Sequence, residues 1–277
     1  MILKVQLMIF DKIFSLKQYT QLFERFKRIG SISNNYLLPD ELEYYINTGR
    51  ISYVEEGENI FYLVKQETCY RVYYQLNNLQ RLVEFAHDNN YAIEILYRGE
   101  KCYPLREIDY WEKCGFQVNL VRDFYQGVYS NMNVAGINTE VEISLAKNEV
   151  DVLNAIELFN QSFDSYTGDY VDESLTSMIY ENKQLLVAYI DGRAVGFCHF
   201  YEKNKAVYLA HIVVNKNYRG RKIGYQLVVA MIKSNMKDPK TRYTLWVQQK
   251  NESAVKMYQS VGYKYAGKST ISLLKTK

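Results

Sequence analysis

Ile212-Val213-Val214-Asn215-Lys216-Asn217-Tyr218-Arg219-Gly220-Arg221-Lys222-Ile223-Gly224 runs directly into Tyr225-Gln226-Leu227-Val228. Apolar, β-branched residues end at Asn215, a short basic loop with glycine follows, and an apolar helical period begins near Gly220. The start of a helix leaves backbone N–H groups unpaired and carries a partial positive charge, so such a loop can cradle phosphate or pyrophosphate. Glycine admits a ligand close to the backbone because it has no Cβ. On its own the pattern says little, since many helices begin with glycine for local reasons.

Further along the chain, past the strand-like Tyr243 to Val247, stands Asn251-Glu252-Ser253-Ala254-Val255-Lys256-Met257-Tyr258, then Gly262-Tyr263. Asn251, Ala254 and Tyr258 are three and four apart and so share one helix face. Together the two stretches resemble the GNAT superfamily of acyl-CoA-dependent N-acyltransferases. That family pairs an Arg/Gln-x-x-Gly-x-Gly/Ala loop with a downstream Asn-x-x-Ala-x-x-x-Tyr-x-x-x-Gly-Phe/Tyr helix. The resemblance covers roughly residues 140–277. One position departs from it: Lys222 stands where the family loop usually has glycine. At positive φ a non-glycine costs about 1–3 kcal/mol; on the first helical turn Lys222 would be an ordinary exposed side chain.

The resemblance implies a sheet splayed between Val207–Val214 and Tyr243–Val247, with the pantetheine arm of acetyl-CoA against Ile212, Val213 and Val214. It implies pyrophosphate on the backbone N–H groups of Arg219, Gly220, Arg221, Lys222, Ile223 and Gly224. Asn251 would bond the cofactor arm, and it is equally suited to capping its helix. Tyr258 would act as general acid toward the leaving thiolate, since a phenol of pKa ~10 keeps its proton where a thiol near ~8.5 departs as an anion. The base is open between Tyr208 and His211, with His199 on the preceding strand. Strict alternation puts Tyr208 and Ala210 on one face and His211 on the other, unless a bulge resets the register. No metal site is expected from two histidines without a third ligand.

The totals narrow the function classes. The chain has 277 residues, room for two domains. Formal net charge is +3 with acids and bases interspersed, which argues against nucleic acid as a partner. Cys69, Cys102, Cys114 and Cys198 form no CxxC pair and read as reduced thiols of a cytoplasmic protein. No stretch reaches the ~18–20 apolar residues of a membrane span. No cysteine or serine stands out as a nucleophile, so direct attack is expected over a covalent acyl-enzyme. The sequence sets no oligomeric state and is compatible with a homodimer.

The polar stretch Ser130–Thr139 looks like a linker, so the sequence divides into 1–134 and 135–277. The second part reads β-α-α-β-β-β-α-β-α-β-β, with the Asp191-Gly192 turn closing a hairpin. The first part reads in nearly the same order: a strand over 2–10, helices over 16–29 and 40–47, three strands, a helix over 79–87, a strand, and a helix over 105–114. Tyr110-Trp111-Glu112-Lys113-Cys114-Gly115-Phe116 also echoes Met257-Tyr258-Gln259-Ser260-Val261-Gly262-Tyr263. The expected fold class is therefore α/β (α+β): tandem GNAT-like units, each a mixed, mostly antiparallel twisted sheet flanked by helices. The first unit would be a degenerate copy, for it has no phosphate loop and Trp111 stands where Tyr258 does. The function implied is acetyl transfer from acetyl-CoA to a primary amine, on a small molecule or a peptide; the alternative is a non-catalytic acyl-CoA-binding sensor or interaction protein.

Overall fold

The computed structural model describes residues 10–86, 88–136, 140–167 and 170–277. Two compact units result: residues 1–120 with 270–277, and residues 121–269. The division differs from the boundary at 134/135 read from the sequence. The reason is the strand Gln117–Val128 (β7), whose residues 122–128 pair antiparallel with Arg242–Gln248 (β12). The following segment is held too, Tyr129 N–H bonding Thr241 O at 2.9 Å and Asn133 N–H bonding Val261 O at 2.8 Å. Polar composition suggested a linker; those carbonyls make residues 129–133 part of the second unit.

In the first unit the strand order is β1-β3-β4-β5-β6, built from Asp11–Lys12 (β1), Ile51–Glu56 (β3), Asn59–Lys65 (β4), Tyr70–Leu76 (β5) and Tyr91–Tyr97 (β6). Ile32–Ser33 (β2) lies on β5. Along β4 the side chains alternate between two cores. Ile60, Tyr62 and Val64 pack with Leu16–Phe26 (α1) and Pro39–Asn47 (α2). Phe61 turns the other way onto Phe85 and onto Trp111 of Leu105–Lys113 (α3).

The helix expected over 79–87 does not form among its described residues. Val83 and Phe85 are buried with Glu84 exposed between them, a period of two. Asn59 also pins the chain: its Nδ2 donates to Asn78 O and Arg81 O, and its Oδ1 accepts from the N–H groups of Asn77 and Asn78. The strand expected over 2–10 falls almost wholly outside the described residues.

The second unit has the order β7-β12-β11-β10-β9-β8, with Glu142–Leu145 (β8), Leu185–Ile190 (β9), Arg193–Lys203 (β10) and Ala206–Val214 (β11). Glu149–Ser162 (α4), capped by the Asn148 side chain on Asp151 N–H, and Thr176–Glu181 (α5) cover one face. Ile223–Ser234 (α6) and Glu252–Val261 (α7) cover the other, burying Leu227, Val228, Met231 and Val261 completely. Gly196 makes the approach of α6 possible, since a Cβ there would lie 3.2 Å from Val213 O and 3.3 Å from Leu227 Cδ1. The two last strands expected are one, Lys264–Lys275 (β13).

The echo between the halves is matched in the backbone. Gly115 and Gly262 both take positive φ and both close their helices with the same pair of bonds. Phe116 N–H returns to Trp111 O and Tyr263 N–H to Tyr258 O, each at 3.0 Å. Trp111 and Tyr258 thus hold equivalent helical positions. No helix among the described residues is long and apolar enough to cross a membrane, and no group of three metal-ligating side chains occurs among them.

Candidate active site

β11 and β12 run parallel and pair from Ala206↔Arg242 to Leu209↔Leu245; beyond that pair they part. The cleft that opens has a volume of about 1020 Å³. Residues 208–214 line one wall and Trp246, Val247 and Gln248 the other. Asn251 and Tyr258 of α7 and the loop before α6 complete it.

That loop is tightened from within. Asn215 Oδ1 accepts from Asn217 N–H at 3.1 Å, starting a 3-10 turn over Lys216–Tyr218. Arg219 Nε donates to Val214 O at 3.1 Å, and Arg221 lies over the Tyr218 ring at 5.4 Å. Gly220 has φ +81° and Lys222 φ +59°, so α6 starts at Ile223 rather than near Gly220. Lys222 is therefore an exposed N-cap in the left-handed region rather than a residue of the first turn. The first N–H groups of α6 have no carbonyl one turn back. Gly224 follows on the cleft wall, where a Cβ would come within 3.4 Å of Met257 Sδ. The N-terminus of α6 therefore borders the cleft, and a helix start of this kind favours negative charge.

Asn251 caps α7, its Oδ1 accepting from Ala254 N–H at 3.2 Å. Tyr258 is 4% exposed and packs edge-on to Tyr263. Among the described residues its hydroxyl has no hydrogen-bond partner. Burial raises the Tyr258 pKa above the ordinary phenol value, and Cys198 and Tyr208 add to the shift. The group keeps its proton at any physiological pH, and Tyr258 lines the cleft.

The opposite face of β11 is reset by a bulge. β10 pairs His199↔His211 and then Phe200↔Leu209, which leaves Ala210 as the extra residue. Tyr208 and His211 consequently share a face, against strict alternation. Val207 and Leu209 still point to the α6 side, whereas Val213 joins the α4 core. His199 and His211 lie with rings 4° from parallel and Nδ1 atoms 3.2 Å apart. Burial, with the neighbouring His211 second, lowers the His199 pKa to about 3. One neutral imidazole must donate to the other. His199 Nε2 is buried without a partner, and an unpaired buried acceptor costs less than an unpaired buried donor. The shared proton therefore belongs on His199 Nδ1, leaving His211 protonated on Nε2.

Phe159 of α4 and Phe163 just beyond its end pack against His211, with ring centroids 5.0 and 5.5 Å away. The sequence marked both only as apolar positions of a helix, and nothing in their spacing ties them to residues some fifty positions on. Arg122, Ser162 and Trp246 also line the cleft and carried no signal of their own.

A family model described as an acetyltransferase (GNAT) domain matches residues 147–272, which contain the loop, the splay and the Tyr258 helix. This part of the chain is a GNAT domain. No curated protein matches the sequence. The whole chain resembles a GCN5-related N-acetyltransferase from Kribbella flavida (11% identity, 86% of this chain and 93% of that one, TM-score 0.55). It resembles another from Sphaerobacter thermophilus (12% identity, 84% of each chain, TM-score 0.57). A tandem GNAT protein from the clavulanic acid biosynthesis pathway is similar across both halves (9% identity, 97% of this chain and 98% of that one, TM-score 0.57). At such identities the likeness concerns the fold alone, which this chain shares along its length with a tandem GNAT protein.

Proposed function

We propose that the second unit transfers acetyl from acetyl-CoA to a primary amine by direct attack. The observation that carries this reading is the parting of β11 from β12 after Leu209↔Leu245, which opens a cleft lined by Tyr258 and by the glycine-bearing loop before α6. An extended pantetheine arm suits the unpaired edges of such strands, and its pyrophosphate suits the N–H groups from Arg219 to Gly224. The amine nitrogen attacks the thioester carbon, the carbon–sulfur bond breaks, and Tyr258 donates to the departing sulfur.

The attacking ammonium must first lose a proton. With His211 protonated on Nε2, we assign that exit to Tyr208, acting as a relay to water, and give His211 the part of orienting the acceptor. On this reading the acceptor meets the aromatic side chains Phe163, Tyr208 and Trp246, which line the cleft. We place the enzyme in the cytoplasm, because Cys69, Cys102, Cys114 and Cys198 form no disulfide. A screen of primary amines with acetyl-CoA, followed by release of free thiol, tests the proposal. Binding of CoA without thiol release for any amine would instead support the sensor reading.

A further inference from the structure

The first unit repeats the strand splay but not its opening. β5 and β6 are parallel and pair at Tyr70↔Tyr91 and Arg71↔Ala92. Past that point residues 32–36, from the connection between α1 and α2, take the space between them. Ile32 and Ser33 pair antiparallel with Leu76 and Gln75, and Ser33 Oγ donates to Tyr74 O at 2.7 Å. Asn34, 1% exposed, works like an inserted peptide group. Its Oδ1 accepts from Tyr74 N–H at 2.9 Å, while its Nδ2 donates to Val72 O at 3.0 Å on β5 and to Glu94 O at 3.1 Å on β6. Tyr36 completes the bridge, its hydroxyl accepting from Leu96 N–H at 3.3 Å.

We propose that the first unit retains the splayed-strand slot of a GNAT domain and fills it with its own segment Ile32–Tyr36, Asn34 supplying the amide that an acyl-CoA arm would supply. The physical case is the backbone ledger of β5 and β6. Splayed strands leave N–H and C=O groups unpaired, and burying them without partners is costly. In the second unit, on the reading proposed above, those groups await an extended ligand. In the first they are already met, so no ligand can gain the bonds that would hold it. The chain then carries one acyl-CoA site. The loss of the phosphate loop and the replacement of the catalytic tyrosine by Trp111 are consistent with a slot committed to its own chain.

Two measurements on the full chain test this. Hydrogen exchange should find the Tyr74 and Leu96 amides protected. Asn34→Ala should speed Tyr74 exchange by roughly ten- to a hundredfold, the scale of one or two buried hydrogen bonds, while Phe61 to Val64 stay slow. Unchanged Tyr74 exchange would overturn the proposal. Should Asn34→Ala prevent folding, Tyr36→Phe must accelerate Leu96 alone, and no change at Leu96 is equally fatal. Calorimetry with CoA should give one site per chain, removed by Gly224→Val in the second unit. Two sites, or residual binding in Gly224→Val that protects Tyr74, would also overturn it. If the wild-type chain binds no CoA while Tyr74 and Leu96 behave as expected, the filled slot stands and the reading of the second unit fails.

Discussion

His199 and His211 meet edge to edge across β10 and β11, Nδ1 to Nδ1 at 3.2 Å, in rings almost coplanar. Around them stand Phe159, Phe163 and Tyr201, with no carboxylate contributing to the His199 shift. An unfolded histidine binds a proton below about pH 6.5, whereas folded His199 does so only near 3. The unfolded chain thus binds more protons through that window, so stability supplied by neutral His199 is present above about 6.5 and lost as pH falls toward 3. The slope is at most about 1.4 kcal/mol per pH unit. Urea midpoints at pH 7, 5.5 and 4.5 should fall more steeply for the wild type than for His199→Gln. Parallel curves would show that His199 is not held neutral.

His211 should tolerate replacement by an amide. His211→Gln keeps an N–H donor but has no basic nitrogen, so turnover should stay within about tenfold, whereas Tyr208→Phe should lose more. A loss in His211→Gln of the ~10²-fold or more typical of a missing acid–base group would give His211 the proton instead.

Tyr258→Phe keeps the ring in its core and removes only the hydroxyl. Turnover should drop about 10²-fold or more with acetyl-CoA affinity nearly unchanged. Steady-state rates beside calorimetry separate the two effects, and near-normal turnover would remove Tyr258 from the chemistry.

At Lys222 the left-handed backbone is adopted by a residue with a Cβ, which is a strained choice. Lys222→Gly relieves it, though glycine also gains freedom when unfolded. The net expectation is a gain of up to about 1 kcal/mol by chemical denaturation, with CoA affinity held within a few-fold because backbone N–H groups carry the phosphate. A loss of stability would mean that the side chain contributes more than the strain costs.

A fragment begun at residue 136 should fold poorly. It lacks β7, whose residues 122–128 pair along the whole of β12 and whose Tyr125 lies in the core beside Leu245. Comparing its solubility and thermal unfolding with those of a fragment begun at 121 checks this; equal behaviour would show that β7 is dispensable.

What the sequence determined by itself was local in kind. Residues 212–224 and 251–263 each place their chemistry within one strand, turn or helix, where spacing alone sets which atoms share a face. Lys222 could be flagged from the sequence, since glycine would be the unstrained choice there, but only the backbone showed φ +59°. Tertiary structure decided the rest. The bulge at Ala210 follows from pairing with β10, and no property of Ala210 announces it. Residues 79–86 carry an apolar pattern short enough to suit a helix or an extended chain, and the Asn59 side chain, some twenty positions away, chose extension. Asn34 read as one more polar loop residue until β5 and β6 closed around it. Each of these depends on a partner distant in sequence, and the free energy of a buried hydrogen bond is assigned only once the fold has removed water from both ends.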